Sequence, residues 1–105
     1  MKTTEDNNKL TVYLENRIDT NNAAQIEKEI FDAVGGRTGD IIIDAENLEY
    51  ISSAGPRVLM KLRKSINKPL PVINVSHDVY DIFETTGFTE LLDVRKAMRE
   101  LNIDG

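Results

Sequence analysis

Cysteine is absent from this chain, which removes disulfides, thiolate metal centres and thiol nucleophiles from consideration. Tryptophan is absent too, and the single histidine, His77, cannot build a histidine-based metal cluster. No apolar run approaches the roughly 18 residues that a membrane-spanning helix needs, and residues Met1 to Asn8 are polar where a signal peptide would be apolar. A cytoplasmic setting is therefore expected. Positive charge is in the minority: 13 Lys and Arg face 18 Asp and Glu, a net charge of −5, which argues against a nucleic-acid binder. What remains is ordinary globular composition, 40% hydrophobic and 30% charged. The 105 residues suffice for one core and not two, so a single domain over 1–105 is expected.

Leu10, Val12 and Leu14 alternate with polar residues, the period-two mark of a strand with one buried face. Asn7-Asn8 before it suits a hairpin turn, with Lys2 to Thr4 as a short edge strand. Asn22 and Gln25 stand at the spacing of a helix start in which a short side chain caps and Gln reaches back. Ala23, Ile26, Ile30 and Val34 then recur at helical spacing until Gly35-Gly36. Ile41 to Ile43 are β-branched without alternation, which predicts a central strand over Asp40 to Asp44 covered on both faces and followed by a turn. Asp44 is read as fixing that turn by bonding backbone amides. The next helix carries Val58, Leu59, Leu62 and Ile66 on one side and Arg57, Lys61, Lys64 and Lys68 on the other, and ends at Asn67 to Pro69. Pro71 to Val75 predicts a short strand, and Ser76 caps a helix with Val79, Ile82 and Phe83 inward. Gly87 closes that helix, with Phe88 packing back, and Val94, Ala97, Met98 and Leu101 have the spacing of a terminal helix. The order predicts an α/β sandwich, a sheet of four to five strands covered by about four helices, its helix-joined strands parallel and one face partly open.

The most informative segment is Ile51-Ser-Ser-Ala-Gly-Pro-Arg57. Proline is tolerated only in the first turn of a helix, so Pro56 as third helical residue places Ser53, not Ser52, at the cap. Ala54 and Gly55 would then offer free N–H groups, and Gly55 would leave the serine approachable by a large partner. Two readings stay open at this point. Ser53 is a plain cap, or its hydroxyl accepts a phosphate that a helix N-terminus tolerates.

Asp44-Ala-Glu-Asn-Leu-Glu-Tyr-Ile-Ser-Ser-Ala-Gly-Pro-Arg-Val-Leu59 resembles the signature of STAS domains, in particular of bacterial anti-sigma-factor antagonists. Leu14-Glu-Asn-Arg-Ile-Asp19 is similar to that family's Leu-x-Gly-x-Leu/Ile-Asp segment, and Val79-Tyr-Asp-Ile-Phe-Glu-Thr-Thr-Gly-Phe88 to its later helix followed by Thr-Gly. The resemblance implies a STAS fold with a mixed sheet and a non-enzymatic, cofactor-free switch. It implies a partner anti-sigma factor with serine kinase activity, and a serine phosphatase as a further partner. The unphosphorylated antagonist binds the anti-sigma factor and frees the sigma factor; the phosphorylated form lets go. The residue matching the phosphorylated serine is Ser53, with Ser52 as second candidate. Asp19, Ser52, Ala54, Gly55, Arg57 and Lys61 would line the partner contact. Four positions differ from the family pattern: Ser52 stands for Asp, Ala54 for a hydroxyl residue, Pro56 for an apolar residue and Asn16 for Gly. The alternative is a constitutive STAS scaffold or interaction subunit of a transport or signalling assembly, its serine only a cap.

Two other chemistries fit the residues poorly. A receiver-like use of Asp44 as phospho-acceptor wants an acidic pair after the first strand and a later lysine, and no clear lysine follows Val75. A serine nucleophile wants a base, and the Gly-x-Ser-x-Gly elbow is missing.

Overall fold

In the computed structural model, which describes residues 1–97, Asn7 and Asn8 both take positive φ, 51° and 62°. That is the backbone a two-residue hairpin turn needs, and asparagine tolerates it better than any other non-glycine residue. The turn joins strand β1 (Lys2–Asp6) to β2 (Lys9–Ile18) in antiparallel register, Asp6 opposite Lys9. Every residue of β1 is exposed, so it is an edge strand.

Helix α1 (Ala23–Val34) follows, then strand β3 (Asp40–Ile51), helix α2 (Ala54–Ile66), strand β4 (Pro71–Val75), helix α3 (His77–Thr85), a 3-10 turn (Phe88–Glu90) and strand β5 (Asp93–Lys96). The five strands lie in chain order, β2 to β5 parallel and β1 antiparallel at the edge. This is the mixed α/β sheet expected. Leu10, Val12, Leu14, Ile41, Ile43 and Val72 are buried and meet Ile30, Leu59, Leu62 and Phe83 from the helices in one core. Thr11, Tyr13, Ile42 and Ile73 point the other way along their strands and are only half-buried. That face is partly open among the described residues, as expected for so small a sheet; the strand of Ile41 to Ile43 is therefore not covered on both faces, Ile42 lying on the open one.

Helix ends follow the sequence signals in part. Gly35 (φ 53°) and Asn67 (φ 55°) close α1 and α2, the positive φ disfavouring any residue with a branched Cβ. Ser76 caps α3, its hydroxyl accepting the Val79 N–H at 3.3 Å. The capping box expected at Asn22 and Gln25 is not formed. Asn22 turns back to accept the Asp19 N–H and to donate to the Arg17 carbonyl, while Gln25 donates to Glu29.

Two larger corrections concern strand ends. β3 does not stop at Asp44. It continues to Ile51 because β2 also continues, through Asn16 in left-handed conformation (φ 62°), and supplies partners: Glu15 opposite Asn47, Arg17 opposite Tyr50, Ile18 opposite Ile51. Asp44 does bond a backbone amide, that of Glu46 at 2.9 Å, and its other oxygen takes Asn74 Nδ2 at 3.1 Å, but within a strand rather than a turn. Val94 belongs to β5, opposite Val72, and Ala97 just past that strand donates its N–H to the Val75 carbonyl at 2.9 Å, so neither is helical. The rest of the expected terminal helix, Met98 and Leu101, lies outside the described residues, which hold three α-helices and the 3-10 turn.

Lys68, expected in the basic stripe of α2, is instead a brace: its ammonium donates to the carbonyls of Thr38 (2.7 Å) and Gly39 (2.8 Å). Gly39 itself is set against the hairpin, for a Cβ there would overlap the carbonyl oxygen of Asn8. Asn8 sits in a two-residue turn and cannot yield without disturbing the strand register. Gly39→Ala is therefore expected to lower stability by about 1–3 kcal/mol, read as a fall in the urea midpoint at unchanged m-value.

Candidate functional site

Strands β2 and β3 end side by side at Ile18 and Ile51, and the junction is closed by the Ser52 N–H donating to the Ile18 carbonyl at 2.8 Å. The chain then enters α2 within one tight turn. The Ser52 carbonyl accepts the Gly55 N–H (3.0 Å) and the Ser52 hydroxyl accepts the Ala54 N–H (3.2 Å). Pro56 is the third residue of the helix, as its missing N–H requires. Ser53 flanks the helix as expected, but its backbone is already helical (φ −62°, ψ −15°) and its side chain makes no capping bond. A capping side chain usually works from an extended backbone, so the task passes one residue upstream. Ser52 is the capping hydroxyl, half-buried; Ser53 is exposed. The amides of Ala54 and Gly55, expected to be free, are both taken by Ser52.

Gly55, expected to line the partner contact, has little exposed surface to offer it. It is buried, and a Cβ there would fall inside the side chain of Ile51, itself 1% exposed. Glycine at this position lets the first turn of α2 sit directly on the end of β3, a packing reason rather than one of access.

Asp19 follows the residue that anchors Ser52 and organises the neighbouring turn. One carboxylate oxygen accepts the N–H groups of Asn21 (2.9 Å) and Asn22 (3.2 Å), and the other accepts Arg17 Nε (2.9 Å). Partial burial raises its pKa, but these two amides and the Arg17 guanidinium outweigh that and hold it below the ordinary 3.8. Asp19 is thus a turn residue whose acceptor capacity is largely used.

Between the first turns of α1 and α2 lies an open groove of about 320 Å³, lined by Thr20, Ala23, Glu27, Ala54, Arg57 and Lys61 among others. Of the expected contact residues, Ala54, Arg57 and Lys61 meet here beside Ser53, and Asp19 adjoins through Thr20. Lys61 pairs with Glu27 across the groove at 3.2 Å. Arg57 is exposed and enters no ion pair among the described residues.

Arg17 and Tyr50 carry no signal in the sequence. They are cross-strand partners at the same end of the sheet, the guanidinium 4.8 Å from the ring centroid, and Tyr50 is 48% exposed. Their contact depends on the β2–β3 register, which alternation in either strand alone does not reveal. Among the described residues one group could approach a metal ion, His77, Asp78 and Asp81 in α3, and all three are exposed.

The STAS domain family model matches residues 1–101. A Bordetella bronchiseptica protein named "Putative anti-sigma factor antagonist BtrV" is 30% identical over 91 residues, 84% of this chain and 78% of that protein. An anti-sigma factor antagonist from Mycobacterium paratuberculosis has a similar structure, with a TM-score of 0.80, 18% identity and coverage of 94% of this chain and 86% of that one. The anti-sigma factor antagonist SpoIIAA in its unphosphorylated form superposes with a TM-score of 0.69 at 20% identity, over 98% of this chain and 92% of that one. No described helix is long and apolar enough to cross a membrane.

Two outcomes follow from the site. Replacing Gly55 by Ala would gain about 1 kcal/mol of helix propensity, yet the overlap with Ile51 costs more, so Gly55→Ala is expected to destabilise by a net 1–3 kcal/mol or so. Trimming the obstacle removes most of that cost, so Gly55→Ala with Ile51→Ala should lose clearly less than the two single variants added, measured in a double-mutant cycle. For Asp19, a lowered folded pKa means that the ionised form stabilises the fold. That contribution is complete above the ordinary 3.8 and disappears as pH falls through the lower folded value. Asp19→Asn should be less stable than the parent at neutral pH, with the gap closing below about pH 4 in urea titrations.

Proposed function

The chain belongs to the STAS domain family, and from that premise we propose that it is an anti-sigma-factor antagonist switched at Ser53. Unphosphorylated, it binds an anti-sigma factor with serine kinase activity and so frees a sigma factor. Phosphorylated on Ser53, it lets go until a serine phosphatase resets it. The observation that carries the reading is the division of labour between two adjacent serines. The Ser52 hydroxyl caps α2, while the Ser53 hydroxyl is exposed and has no capping bond. A phosphate can be added to Ser53 Oγ without removing a bond on which the fold relies.

The partner would supply ATP and the base that takes the hydroxyl proton. This chain supplies the oxygen that attacks the γ-phosphorus, and ADP leaves. The product carries about −1.5 to −2 charge at a helix start that tolerates it. Its effect falls on the partner, which would have to desolvate that charge against Ser52, Ala54, Arg57, Lys61 and the Asp19 turn. The 30%-identical relative named as an antagonist supports the same role.

One feature favours the scaffold reading: Ser52 stands where phosphorylated antagonists carry Asp. Incubation with candidate anti-sigma kinases and ATP, followed by mass-spectrometric mapping, separates the two. Phosphate is expected on Ser53, with Ser53→Ala binding the anti-sigma factor persistently and Ser53→Asp binding at least about tenfold more weakly, a difference of about 1.4 kcal/mol. Labelling confined to Ser52 would overturn the Ser53 assignment, and no labelling by any cognate kinase would favour the scaffold instead.

A further inference from the structure

A second groove runs down the other side of α2, toward the 3-10 turn. Its volume is about 390 Å³, and it is lined by Arg57, Met60, Lys61, Lys64, Phe88 and Leu91. Met60 and Phe88 are half-buried and rest on the core, forming an apolar floor. Leu91 is 56% exposed, one of three large hydrophobic side chains so placed among the described residues. Among the described residues the rim is wholly basic: in a chain with 18 acidic residues and a net charge of −5, no described carboxylate lines this groove. Arg57 and Lys64 are exposed and enter no ion pair among the described residues.

We propose that this groove docks an acidic amphipathic segment of a protein partner. Apolar side chains of such a segment would cover Met60, Phe88 and Leu91 while its carboxylates meet Arg57 and Lys64, the arrangement of a helix laid in a groove. Methionine in the floor adapts to an imperfectly matched side chain, and basic residues around an apolar strip select by charge and raise the association rate. Arg57 and Lys61 line both this groove and the one beside Ser53, so a partner seated on the serine turn can extend onto it without a gap. The docking surface goes beyond the Ser53 switch and does not require it.

The test titrates the isotope-labelled full chain, followed by NMR, with a synthetic peptide of about four helical turns, Leu on one face and Glu on the other. Saturable shifts are expected at Met60, Lys64, Phe88 and Leu91. Lys64→Glu and Leu91→Ser, both at exposed positions, should each weaken binding about fivefold or more. Lys28→Glu makes the same charge change on α1, away from the groove, and should leave binding unchanged. The titration uses the unphosphorylated chain and no kinase, so failure of the phosphorylation switch and failure of the groove are told apart. The proposal is overturned if the acidic peptide does not saturate, if a peptide with Lys in place of Glu binds equally well, or if the shifts fall elsewhere. It is overturned equally if anionic phosphatidylglycerol vesicles bind these residues and the peptide does not, which would make the surface a lipid contact.

Discussion

The hydrogen bond from the Ser52 N–H to the Ile18 carbonyl, 2.8 Å long, can form only if β2 and β3 reach the same level at their far ends. They start level, Lys9 opposite Asp40, yet β3 has 12 residues and β2 has 10. Two register shifts absorb the difference, one between Tyr13 and Glu15 and one between Asn16 and Arg17. Bulges of this kind bend and twist a strand pair and re-aim the side chains beyond them. Asn16, at the second shift, is left-handed (φ 62°), a backbone that asparagine tolerates better than other non-glycine residues. Beyond it Arg17 and Tyr50 come into contact, Ile18 and Ile51 turn inward, and the serine pair is delivered to the rim of the sheet.

From that rim the helix has little freedom. Ile51 is buried under the first turn of α2, and only glycine at position 55 lets the turn sit so close. The shortened turn, closed by the bond from the Gly55 N–H to the Ser52 carbonyl, draws Ser53 into helical conformation and points the capping task at Ser52. A buried packing constraint therefore determines which of two chemically identical hydroxyls is structural and which stands free. Sequence position alone cannot make that distinction, because both lie within reach of the same amides.

What the sequence revealed and what it hid divide along physical lines. Local signals held wherever one residue's backbone preference decides: the Asn7-Asn8 turn, the glycine and asparagine stops, the Ser76 cap and the placing of Pro56. The core positions of β2, α1 and α2 also followed from periodicity. Non-local pairing did not. Residues 45–51 look polar and turn-like, and they are a strand only because β2 lies alongside; Val94 fits a helical period, and is a strand residue only because β4 is there to pair with it. The candidate site shares the split. Ala54, Arg57 and Lys61 converge as their spacing implies, whereas Gly55 is buried for packing, Lys68 braces a distant loop, and Arg17 with Tyr50 needed the register to be seen.

The local charge around α2 also bears on what a phosphate at Ser53 could do. Arg57 lies one helical turn away and is exposed, so it could pair with the phosphate and mask it from a partner. The magnitudes decide against such masking. An exposed ion pair at this spacing contributes about 0.3–0.5 kcal/mol, and surface pairs rarely exceed about 1 kcal/mol. Pressing a doubly charged group against a protein surface costs several kcal/mol unless the partner supplies matching donors. Arg57 can orient the phosphate but cannot offset its burial. A partner that seats itself on the bare Ser53 hydroxyl would thus lose far more on phosphorylation than this chain would regain through Arg57, and the basic face of α2 would not blunt the proposed switch.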